Sequence, residues 1–134
     1  MRTITKDLTL TLDGHPMAFR LTKLDAFSGV ALLRLYLRRA DGAGETPLTL
    51  LSLIASFSDE ELRAVMTAVL RHTEVLLPAG PHPVMTGGEW GYPELKHDTP
   101  TCMKLLLEGI SWSLSDFFDG GGPTSRTAPP ASPP

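Results

Sequence analysis

Cys102 follows His97 and Asp98 at five and four residues, and thiol, imidazole and carboxylate are the residue types of a cysteine nucleophile with its base and orienting group. Asp98-Thr99-Pro100 reads as a helix start, and a helix N-terminus lowers the pKa of a thiol in its first turn. Against catalysis, adjacency along the chain is not convergence in space, and no oxyanion-hole loop accompanies the cysteine. A lone helical cysteine is more often a small buried hydrophobe. The histidines, His15, His72, His82 and His97, share no i, i+4 spacing, and none pairs with Cys102 at a zinc-finger interval, so no metal is expected. Gly87-Gly88-Glu89 lacks the length and following lysine of a phosphate loop, and Gly120-Gly121-Gly122 lacks a following helix. Asp59, Glu60 and Glu61 crowd a helix start, where the dipole accounts for them. The residues therefore point to no enzyme and no cofactor, and function must be sought in surfaces that bind.

The elements that would build those surfaces come from a chain of 134 residues, 42% apolar and 20% charged, which suits one domain with a modest core. A net charge of -3 gives no footprint for nucleic acid, and the largest basic cluster, Arg34, Arg38 and Arg39, reads as one solvated helix face. No apolar run approaches the roughly 20 residues that cross a bilayer, and MRTITKDLTL lacks the apolar core of a signal peptide, so a cytoplasmic protein without membrane contact is expected. One cysteine excludes an internal disulfide.

Ser58-Asp59-Glu60-Glu61 is a capping box, with Phe57 and Leu62 placed as a hydrophobic staple. Leu62, Val65, Met66, Val69, Leu70 and Leu76 recur at helical spacing, predicting a helix over 59–76 that ends before Pro78. Upstream, threonines alternate with Leu8, Leu10 and Leu12, Asp13-Gly14 supplies a tight turn, and Met17, Phe19 and Leu21 resume the alternation, predicting a hairpin over 3–21. Thr22-Lys23-Leu24-Asp25 opens a helix over 25–39 whose apolar set is wider than one stripe, so burial on two sides is expected, against the hairpin or a neighbouring protomer. A turn at 40–45 and the cap Thr46-Pro47 predict a helix over 47–56. Residues 78–98 read as an irregular, proline- and glycine-rich loop carrying Trp90 and Tyr92. A last helix is predicted over 100–118, where Gly109 suggests close approach to another backbone. Residues 119–134, rich in glycine and proline, are expected to be a disordered tail. The fold class is α+β: an N-terminal β-hairpin packed on a bundle of about four α-helices, one domain over 1–118.

The LTLTLDG hairpin, MAFRLTKLDAFSGVALLRLYLRR, the SDEEL helix, the loop GGEWGYPEL and a terminal amphipathic helix together resemble the tail assembly chaperones of long-tailed bacteriophages and prophages in length, order and texture over Ile4 to Phe118. The resemblance implies a non-enzymatic protein of the bacterial host cytoplasm that binds the tape measure protein, keeps its apolar helices soluble and helps recruit the major tail tube protein. It also implies a longer product made by a programmed ribosomal frameshift, for which the codons of Gly120 to Gly122 are a compatible slip site. The alternative is a structural minor tail or tail terminator protein retained in the particle. A chaperone for apolar helices needs exposed apolar surface. Phe27, Leu33 and Leu37 on the first helix and Trp90, Tyr92 and Leu95 in the loop are the candidate partner-binding residues, and the same surfaces are expected to drive homo-oligomerisation.

Overall fold

Leucine–threonine alternation at the start of the chain gives two strands, β1 (Thr5–Leu12) and β2 (His15–Thr22), which pair antiparallel from Thr5 opposite Thr22 to Leu12 opposite His15. The connecting residues, Asp13 at φ 50° and Gly14 at φ 82°, both occupy the left-handed region, as a two-residue hairpin turn matched to strand twist requires. Leu12, Phe19 and Leu21 are buried on the inner face, with Leu8, Leu10 and Met17 packed half-buried beside them. The computed structural model describes residues 3–42 and 49–117. Within them the hairpin is followed by α1 (Ala26–Gly42), α2 (Leu50–Ser56), α3 (Asp59–Arg71), β3 (Thr73–Leu77), β4 (Gly80–Pro83), β5 (Met85–Thr86), β6 (Glu89–Trp90), a 3-10 turn at Pro93–Leu95 and α4 (Thr99–Ser113). The class is α+β, and no helix among the described residues is long and apolar enough to cross a membrane.

The hairpin is half of a larger sheet of order β1-β2-β3-β4, and this corrects two sequence-based expectations. The helix predicted over 59–76 stops at Arg71. His72 caps it, and the Thr73 hydroxyl donates to Val69 O at 2.8 Å. The chain then turns extended, because the open edge of β2 offers ladder hydrogen bonds: Val75 lies opposite Phe19 and Thr73 opposite Leu21. Thr73 and Val75 are β-branched and both are buried, which suits a strand better than a helix end. Residues 78–98 are correspondingly not an irregular loop, since they contain β4 and the short β5–β6 hairpin. Val84 N donates to Thr73 O, so alternate amides of this segment face β3 while positions 81 and 83 face outward. Both are proline, and the outer side of an edge strand is where proline forfeits nothing.

Other boundaries shift for local reasons. Helix α1 runs on to Gly42, past the start of the turn predicted at 40–45, and the rest of that stretch lies outside the described residues. Thr49 caps α2 by accepting from Ser52 N, so α2 starts at Leu50, and Thr46-Pro47 lies outside the described residues. Asp98 caps α4 by accepting from Thr101 N, and α4 ends at Ser113, short of the predicted 118. The tail predicted over 119–134 also lies outside the described residues.

Helices α3 and α4 stand between two apolar clusters and feed both. Toward the sheet, Leu70, Cys102 and Leu105 join Phe19, Leu21, Val75 and Leu95. On the other side, Val65, Val69, Leu106 and Ile110 join Leu32 of α1 and Leu53, Ile54 and Phe57 of the α2 region. The two helices meet at Gly109, where an added Cβ would sit 2.4 Å from Val69 Cγ1. The close approach expected of Gly109 is therefore to a side chain, not to a backbone.

Two stability predictions follow from the helices. Ser58 Oγ accepts from Glu61 N and Glu61 accepts from Ser58 N, so Ser58→Ala should cost about 1 kcal/mol by urea denaturation. Gly109→Ala should cost a net of about 1–2 kcal/mol, overpacking against a stiff valine outweighing the gain in helix propensity. The same change in a Val69→Ala background should cost less, as a double-mutant cycle will measure.

Candidate functional site

The Cys102 thiol does not meet the requirements of a nucleophile. It lies in the sheet-side cluster and donates to Leu95 O at 3.2 Å. Burial pushes its pKa up, and the nearby Asp98 carboxylate adds to that, so the expected lowering by the α4 N-terminus is overridden. The Asp98 oxygens are taken by the amide and hydroxyl of Thr101, and His97 is exposed. Two of the other histidines serve the backbone: His72 Nδ1 donates to Ala68 O at 2.8 Å and His82 Nε2 to Gly91 O at 2.6 Å. Among the described residues, no cluster of three His, Cys, Asp or Glu could hold a metal ion.

The six apolar candidates divide. Tyr92 and Leu95 are in the core, at 8% and 0% exposure, and have no surface to offer a partner. Tyr92 N and Gly91 N both donate to Val84 O, and Tyr92 and Leu95 belong to the sheet-side cluster. Burial also raises the Tyr92 phenol pKa, with Glu94 contributing. Leu33 is half-buried against the helix-side cluster. Trp90 is half-buried at the rim of the sheet-side cluster. Only Phe27, at 91%, and Leu37, at 46%, stand largely in the open, joined by Val30 at 56%.

Helix α1 contributes a single fully buried residue, Leu32, and lies on the molecule through half-buried Leu33, Leu35 and Tyr36. Within the single chain, its wide apolar set is thus buried on one side only, and the hairpin does not cover the other. Phe27, Val30, Arg34 and Leu37 recur at spacings of three and four and form an outward stripe. Among the described residues, neither Arg34 nor Arg38 has an ion-pair partner, whereas Arg39 bonds Glu61 and Ser56 and ties α1 to the start of α3. At the other end of α1, Asp25 faces Arg71 at 3.9 Å and His72 at 3.6 Å, so α1 and α3 run antiparallel.

Two of the grooves along α3 bear on binding. One, of about 400 Å³, lies between the start of α3 and the β5–β6 hairpin and is lined by Leu62, Met66, Met85 and Trp90, with Asp59 and Arg63 at its rim. Sequence reasoning singled out Trp90 and missed this groove, because Met66 and Met85 come together only through the unpredicted hairpin. The other, of about 250 Å³, lies between α1 and α3 over Ala31, Leu35, Ala64, Val65 and Ala68. A third feature is structural: Trp112 Nε1 donates to Ile4 O while Lys23 lies 4.5 Å above the indole and pairs with Asp116, pinning the hairpin to α4. No protein family, curated protein or solved structure matches the chain.

With its thiol held neutral by burial, Cys102 should react with a disulfide reagent on the order of a hundredfold more slowly in the native protein than in denaturant, since only transient opening exposes it. The raised pKa carries a sign: its stabilising effect is complete below the ordinary thiol value and is lost as pH rises through the folded value. Native reactivity should therefore stay low up to about pH 9, and urea stability should fall above it.

Proposed function

We propose that this protein is a non-catalytic tail assembly chaperone that receives apolar helical segments of the tape measure protein in the groove between α3 and the β5–β6 hairpin. In this reading it keeps those segments soluble in the bacterial host cytoplasm, and a longer frameshift product recruits the major tail tube protein. The observation that carries the reading is the composition of that groove: Leu62, Met66, Met85 and Trp90 around an open space of about 400 Å³. Unbranched methionines adapt their shape to varied side chains, which suits a client read for greasiness more than for sequence. The groove is open and sets Leu62, Met66, Met85 and Trp90 beside Asp59, Arg63 and Thr67, so it fits an amphipathic helix better than a small metabolite. Asp59 and Arg63 at the rim give an incoming amphipathic helix one contact of each sign. The resemblance over Ile4 to Phe118 supplies the identity of the client.

Coexpression with the tape measure protein of the same phage or prophage tests this. The wild type should hold the client in the soluble fraction and co-purify with it. Trp90→Ala and Trp90→Glu should each lose at least about tenfold of the recovered client while melting within a few degrees of wild type. A client soluble on its own, or recovered equally with both variants, would overturn the reading. Stoichiometric amounts of this chain in purified particles would favour the structural tail protein.

A further inference from the structure

We infer that the α1–α3 face is a self-association surface, on which a second copy of this chain docks with its α1 antiparallel to the first. The first ground is shape. Phe27, 91% exposed, sits one residue before Ser28 and one helical turn before Ala31, which with Ala64 and Ala68 line an apolar groove between α1 and α3. A large knob beside a hole made of small residues is self-complementary under a two-fold axis, which brings each knob to the other copy's hole. Antiparallel pairing of α1 about its middle sets Phe27 of each copy over Leu37 and the Leu35 end of the groove in the other. Val30 lies between.

The second ground is charge. Along α1 the acid Asp25, which also meets Arg71 and His72 of its own chain, is at the N-terminal end, and Arg34 and Arg38, without an ion-pair partner among the described residues, are in the C-terminal half. Along α3 the order is the same, Asp59 and Glu60 first and Arg71 last. Reversing a second copy puts Arg38 over Asp25 and Arg71 over Glu60, whereas a parallel copy sets acid on acid and base on base. A client helix needs no such symmetry, so the pattern favours a second copy over an unrelated occupant. Helices of 17 and 13 residues are about 25 and 20 Å long, and two side by side cover about 500 Å² per partner. That is the small end of specific interfaces, and it predicts a reversible dimer in the micromolar range.

This inference is independent of the α3–hairpin groove and its client. Light scattering on the full chain across a dilution series tests it. The wild type should pass from dimer to monomer, with tighter association at low salt. Phe27→Glu should weaken the dimer by at least about thirtyfold with an unchanged melting curve, because the side chain touches little in the monomer. Glu60→Arg and Arg71→Glu should each weaken it several-fold, and the two together should restore it, since the residues face each other across the axis. A wild type that stays monomeric at about 100 μM, a dimer indifferent to Phe27→Glu, or a charge swap without recovery would each overturn the proposal. So would a monomer whose Phe27→Glu variant loses a co-purified protein, which would assign the face to that protein.

Discussion

A missing side chain at residue 109 sets the spacing on which both halves of the core depend. Gly109 lets Val69 of α3 press against the α4 backbone, so each helix keeps one flank for the sheet and one for α1 and α2. The division is regular within each helix: Leu105 goes to one cluster and its neighbour Leu106 to the other, just as Leu70 and Val69 divide. Interiors are packed too densely to absorb an extra carbon at such a crossing without displacing something. Everything else is hung on this pair, the sheet through Val75 and Phe19, and α1 through Leu32.

What hangs most lightly is α1, and its exposed stripe follows from that. A helix with an apolar set wider than one stripe must bury it twice or leave part in water. Here the inner residues reach the helix-side cluster and the outer ones stay open. The methionine-lined groove across α3 has a different origin, the gap left where a two-stranded hairpin leans against a helix. The two grooves therefore lie on different flanks of α3.

Much of this was legible in the chain where the signals are local. Asp13-Gly14 between alternating leucines located the hairpin, and the Ser58 capping box located the start of α3. The end of α3 was not legible, because Leu76 falls in phase with the preceding helical stripe while Thr73 and Val75 are too few to announce period two. What makes them a strand is the edge of β2, some fifty residues earlier in the sequence. The same non-local pairing hid β4, whose prolines argue against a strand until their outward positions are known. For the candidate site, Phe27 and Leu37 could be read from the surplus of apolar residues on one helix. Tyr92 and Leu95 could not be assigned to the core, because aromatic residues among glycines look alike whether they cover a core or await a partner.

The two margins of the sheet are guarded unequally. Pro81 and Pro83 occupy the outward positions of β4 and leave no amides there for a stray strand to grip. Strand β1, the opposite margin, is eight residues long, free of proline, and fended chiefly by Lys6 and Asp7 near its beginning. Of the two margins of this four-stranded sheet, the Leu8 to Leu12 half of β1 is the one left without such a guard against a stray strand.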